Sequence, residues 1–236
     1  MVSCLAPSQH DQLRSSRALD RLVRMEARRP TLAEEVAQFL DRRSSKVGAP
    51  PNVLSLAAAL EWPAADLRIV LGGDVELGDG SNHSGWRGIL TTLDRRKQRD
   101  KIRNAHAVKV AHHGSRGALE SEAWDDHVRT APDETWAVVA PFKHGGVTLP
   151  DAEVLRNLHG RGVRLAMCYA APTKEAVSAA GWTPDGSVEE VCAGPLIALS
   201  WSPAGACSAA RGKRAAIYTA KSLARPRARR PAARGR

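Results

Sequence analysis

Val70-Leu71-Gly72-Gly73-Asp74-Val75-Glu76 and, after a basic segment, Val108-Lys109-Val110-Ala111-His112-His113-Gly114-Ser115 decide how this chain is read. Each places side chains of metal-ligand type directly after a short apolar run of strand character, where the end of a strand leaves a sheet and opens onto a cleft. The two glycines before Asp74 allow a tight turn and a close approach of backbone to whatever the carboxylate faces. His112 and His113 are adjacent, so on an extended chain their rings point to opposite sides and one of the two serves a given site. A carboxylate with an imidazole is the donor set of catalytic zinc, manganese or iron. Taken singly, Asp74 also reads as a turn cap and His112 as a hydrogen-bonded histidine at a strand end. The two signals in this order, each after an apolar strand, point to a site.

Upstream, Pro50-Pro51 breaks the chain, since proline neither donates to a ladder nor continues a helix. Val53–Leu60 and Leu67–Leu71 then read as strands joined by a turn around Trp62–Asp66, with Asp74 ending the second. Leu77–Gly85 is rich in turn formers and reads as a loop beside the site, from which Asp79 or His83 would reach in. Trp86, Ile89, Leu90 and Leu93 repeat at helical spacing and predict a helix from Trp86 to Ile102. Its second half carries Arg95, Arg96, Lys97 and Arg99, which read either as a solvated face or as phosphate contacts.

Downstream, helix and strand alternate: a helix around Glu120–Val128, a strand at Trp136–Ala140, a helix at Asp151–Leu158, a strand at Val163–Tyr169 and a short helix from Thr173 to Ala180. This order predicts an α/β fold with right-handed crossovers onto a largely buried sheet. Val188–Cys192 and Leu196–Trp201 read as a terminal hairpin, and His127 and His159 as surface residues of helices.

Composition is that of a soluble globular protein, at 43% hydrophobic and 25% charged residues. No apolar run reaches the roughly 18–20 residues needed to cross a bilayer, and the first residues have no signal-peptide character, so no membrane span is expected. Cys4, Cys168, Cys192 and Cys207 lack any CxxC spacing and read as reduced thiols of a cytoplasmic protein. The net charge of +10 is unevenly placed. Residues 1–48 carry nine Lys/Arg against six Asp/Glu, residues 49–202 sixteen against nineteen, and residues 203–236 ten against none. Three parts follow: a helical N-terminal segment over 1–48, with a capping box at Thr31–Glu34, an α/β domain over 49–202, and a basic tail over 203–236, disordered from about residue 210. The tail reads either as an electrostatic attachment to polyanions such as nucleic acid or as a compositionally biased terminus without function.

On these residues the chain resembles the metallo-β-lactamase-fold hydrolases, in particular the branch with the soluble domain of ComEC-type DNA-uptake proteins. The resemblance runs over about residues 50–170, through Asn52–Leu56, Leu71–Glu76, Lys109–Ser115, Val138–Phe142 and Leu149-Pro150-Asp151. It implies that Asp74 binds or bridges metal ions, that His112 or His113 joins it, and that two divalent ions, zinc in the first instance, assist hydrolysis of a phosphodiester or related ester. The family's upstream His-x-His-x-Asp-His motif has no counterpart, since His10 is the only histidine before Asp74, and His144 is displaced from the family's later histidine. The resemblance therefore implies the C-terminal half of the αββα sandwich, with the other ligands coming from an upstream segment or a second chain. Two further readings stand beside it: a non-catalytic remnant that binds nucleic acid through its basic segments, and a truncated half-sandwich with one sheet face uncovered.

Overall fold

The computed structural model describes residues 2–4, 55–78, 84–169, 173–192, 197–202 and 206–220. Thirteen strands among them are β1 (Val2–Cys4), β2 (Ala58–Trp62), β3 (Leu67–Leu71), β4 (Ala107–Lys109), β5 (Trp136–Val139), β6 (Phe142–His144), β7 (Val147–Leu149), β8 (Arg164–Met167), β9 (Trp182–Pro184), β10 (Glu189–Cys192), β11 (Ile197–Trp201), β12 (Cys207–Gly212) and β13 (Ala216–Ala220). The α-helices are α1 (Gly85–Arg95), α2 (Ser121–His127), α3 (Ala152–Gly160) and α4 (Lys174–Ala179).

Eight strands form one mixed sheet in the order β1-β2-β3-β4-β5-β8-β13-β9. Its centre, β3, β4, β5 and β8, is parallel. Parallel neighbours need a crossover, and α1, α2 and α3 lie in the three connections. Period-two alternation sends Val70, Val108, Ala137, Val139, Leu165 and Met167 to the helical face, against Ile89, Leu93, Leu155 and Leu158. Trp86, Ile89, Leu90 and Leu93 are all buried on α1, as their spacing predicts. Asp151 caps α3, its Oδ1 accepting from the Glu153 amide at 2.8 Å.

The other face carries Ala107, Trp136, Ala166 and Ile217, packed with Ile69, Val138, Val188, Ile197, Leu199 and Trp201. The last four of these belong to or flank a three-stranded sheet, β10-β12-β11. This small sheet covers the face that a bare half-sandwich leaves open, with Trp136 1% exposed beneath it and the Arg164 guanidinium 4.1 Å from its ring centroid.

Several expectations are corrected. β10 and β11 do not pair as a hairpin; both pair with β12, one parallel and one antiparallel. The stretch expected to be disordered from residue 210 contains half of β12 and all of β13, and β13 sits between β8 and β9 inside the main sheet. Bulk composition hid an alternating segment: Ile217 faces the small sheet and Tyr218 the helices. The boundary at residue 202 accordingly divides a continuous fold. The helix expected over Trp86–Ile102 ends at Arg95, and Lys97 adopts φ +52° where the chain turns to bury Ile102. His127 is not a surface residue but 1% exposed, between Trp86 and Trp124.

The N-terminal helices expected over 1–48, loop residues Asp79 and His83, and residues 221–236 of the tail lie outside the described residues, apart from Val2–Cys4, which pairs with β2. Among the described residues no helix is long and apolar enough to cross a membrane.

Candidate active site

Asp74 leaves the C-terminal end of β3 through a turn that only glycine permits. A Cβ on Gly72 would stand 2.8 Å from the Lys109 carbonyl oxygen, and one on Gly73, at φ +53°, 2.1 Å from that of Leu56. The Asp74 amide donates to Ser55 Oγ at 3.2 Å, which fixes the start of the acidic strand end. Lys109 ends the neighbouring strand β4. Its Nζ donates to the Gly73 carbonyl at 2.7 Å and lies 3.7 Å from Asp74 Oδ1. Burial pushes the Lys109 ammonium below its usual range, and the Asp74 charge opposes that shift.

The two histidines are not on extended chain. Both occupy left-handed backbone, at φ 43° and 55°, within a short turn at Ala111–Gly114. Such a conformation is uncommon for residues with side chains and collects at functional sites. The turn is held by the His112 amide, which donates to the Gly73 carbonyl at 2.9 Å. Gly114 lets it approach Pro150, since a Cβ there would meet that ring at 2.5 Å. The expectation that the rings diverge is thereby corrected: their centroids are 6.4 Å apart, and each meets one carboxylate of the segment 74–76.

His113 Nδ1 lies 2.7 Å from the Ala140 carbonyl oxygen. A carbonyl only accepts, so Nδ1 carries a proton, and Nε2 is the ring nitrogen turned toward Asp74, 4.0 Å from its Oδ1. Phe142 lies against the ring at 5.2 Å between centroids. His112 Nδ1 is enclosed at 3.1 Å from Glu76 Oε1, outside hydrogen-bonding geometry. Glu76 and Lys109 are the members that sequence reasoning left without a role. The signal for Glu76 was its i, i+2 spacing from Asp74, which on extended chain puts both carboxylates on one side.

The basic run is not brought to this place. The β3–α1–β4 crossover returns the end of α1 to the edge where the parallel strands begin, opposite Asp74. Arg95, Arg96 and Lys97 are exposed there. Arg99 is engaged by Asp94 at 2.9 Å, Glu122 at 2.6 Å and Asp126, and these carboxylates outweigh burial to hold its guanidinium protonated above the usual range. It is a structural tie between α1 and α2, and its charge is spent within the fold. His144 is on the exposed strand β6, its ring centroid 6.3 Å from that of Phe142.

Asp74 and His113 fit a divalent metal in kind: one carboxylate, and one imidazole whose tautomer is fixed by a carbonyl, the usual outer support of a ligating histidine. They fall short in number. Among the described residues no group of three or more His, Cys, Asp or Glu side chains is placed to hold a metal ion.

No family model, curated protein or solved structure matches the chain. The function is therefore argued from this cluster and its place in the sheet.

Proposed function

We propose that the chain is a metal-dependent hydrolase of phosphodiester bonds, its main sheet corresponding to the C-terminal half of a metallo-β-lactamase αββα sandwich. The observation that carries this reading is the convergence of Asp74 and the Nε2 atom of His113 at the C-terminal edge of parallel strands. The remaining metal donors come from residues outside the described ones or from a second chain. A zinc ion held there would lower the pKa of a bound water and polarise the scissile ester.

The chain's own residues supply the rest. Lys109 sets an ammonium beside Asp74, offsetting its charge and offering a cation to a phosphate oxygen. His112 sets an imidazole beside the Glu76 carboxylate, 3.1 Å away, at the same edge of the sheet. The test is hydrolysis of bis(p-nitrophenyl) phosphate with added zinc or manganese. Asp74→Asn is expected to lower kcat by about 100-fold or more; equal rates in the variant and the parent would end the proposal.

A second reading, a non-catalytic nucleic-acid-binding protein, is favoured by one observation, the absence of a closed donor set among the described residues. It requires binding without turnover at any metal concentration.

A further inference from the structure

Past the ends of β8 and β13 lies an open cleft of about 1070 Å3 lined by Tyr169, Lys174, Arg211, Lys213 and Arg214, with Tyr218 at its floor. β8 runs parallel to β4 and β5, and Ala216 of β13 stands opposite Met167 at the end of β8. The cleft therefore opens on the same edge of the sheet as Asp74 and His113. Lys213 and Arg214 form the turn that joins β12 to β13.

Charge in the cleft is one-sided. The one acid in its lining, Asp185, is already satisfied by the Arg164 guanidinium at 2.9 Å and the Ser187 hydroxyl at 2.6 Å. Arg211 pairs with Glu190 at 3.3 Å. Lys174, Lys213 and Arg214 are exposed to solvent, and the Tyr169 ring is 42% exposed among them. A small free anion is held by convergent, enclosed donors, whereas these cations are spread along an open groove. Spread cations with an exposed aromatic ring suit a strand whose phosphates lie on the cations and whose base stacks on the ring.

We infer that this cleft binds single-stranded nucleic acid through Lys174, Lys213, Arg214 and Tyr169, and that the bound strand leads across the ends of β5 and β8 to Asp74 and His113. Two to three strand spacings separate the two places, roughly 10–15 Å. The second half of this inference rests on the phosphodiester reading above; the binding half does not.

The test is fluorescence anisotropy of the full chain with a labelled oligothymidylate of about 16 nucleotides, read over a salt series, beside inorganic polyphosphate as competitor. The basic residues 221–236 are kept in every variant, so their contribution cancels. Charge reversal in K213E/R214E is expected to raise Kd at least fivefold and to flatten the salt slope by about one to two. Tyr169→Ala is expected to weaken oligothymidylate about fivefold or more and leave polyphosphate unchanged. A smaller effect of the charge reversal, an equal loss of both ligands in Tyr169→Ala, or duplex bound as tightly as single strand would each overturn the inference. Cleft-dependent binding with no hydrolysis in the parent would instead remove the phosphodiester reading and leave the cleft standing.

Discussion

His113 holds its Nδ1 proton on the carbonyl of Ala140 at 2.7 Å and turns Nε2 toward Asp74 Oδ1 at 4.0 Å. One residue thereby joins the ends of three strands: the carbonyl follows β5, the carboxylate follows β3, and the ring itself follows β4. The left-handed turn at His112 and His113 makes this reach, and its backbone is tied to the Gly73 carbonyl.

Gly73→Ala tests that turn. The new methyl would stand 2.1 Å from the Leu56 carbonyl oxygen on backbone at φ +53°, so the turn has to rearrange. A loss of about 2 kcal/mol or more in urea unfolding is expected, together with loss of hydrolysis. Asp74→Asn, at a half-exposed position, is expected to shift stability by no more than about 0.5 kcal/mol. Equal stability of the two variants would mean that the glycine is not required.

His127 makes stability depend on pH. Full burial holds its imidazole down at about 4, although the Ile102 carbonyl 3.0 Å away partly supports the charged form. The unfolded chain takes up the proton near 6.5 and the folded chain does not, so protons favour unfolding. Stability is therefore expected to fall as pH drops from about 6.5 to about 4, by roughly 3 kcal/mol at most. His127→Gln, whatever its own cost, is expected to remove this slope. An unchanged slope in the variant would place the effect on other groups.

Trp136 and β13 test the continuity of the fold. Trp136 lies between the two sheets with 1% of its surface exposed, and Trp136→Ala is expected to cost about 3–5 kcal/mol. A chain ending at residue 202 loses β12 and β13, exposes Leu165 and Ala166, and leaves β9 without its neighbour. It is expected not to unfold cooperatively in calorimetry. A sharp transition at the parent's temperature would restore a tail independent of the domain.

Arg99→Ala separates structure from binding. Asp94, Glu122 and Asp126 lose a shared partner, and a cost of about 1–3 kcal/mol is expected. Oligonucleotide affinity is expected to stay unchanged, because this guanidinium is already engaged. Weaker binding at unchanged stability would show instead that Arg99 contacts phosphate.

Local signals carried far in this sequence. The apolar runs gave β3, β5 and β8, and the helical spacing of Trp86, Ile89, Leu90 and Leu93 gave α1. The alternation of strand and helix gave the parallel centre of the sheet. Non-local pairing was not legible: β12 inserts between β10 and β11, and β13 between β8 and β9, and neither insertion leaves a periodic signal. Asp74 and the two histidines were legible because residue type and strand end coincide. Lys109 was hidden as the charged end of an apolar strand. Arg99 could not be told apart from the exposed Arg95, Arg96 and Lys97, because charge is visible in sequence while its partners, Glu122 and Asp126, arrive from another helix. Burial of His127 by Trp86 and Trp124 depends on the same long-range packing.

Metal content of the purified full chain, measured by elemental analysis after equilibration with zinc, tests the central claim most directly. About one or two ions per chain, lost in both Asp74→Ala and His113→Ala with folding intact, is the expected result. Absence of bound metal in the parent, or retention of the same content in both variants, would contradict it.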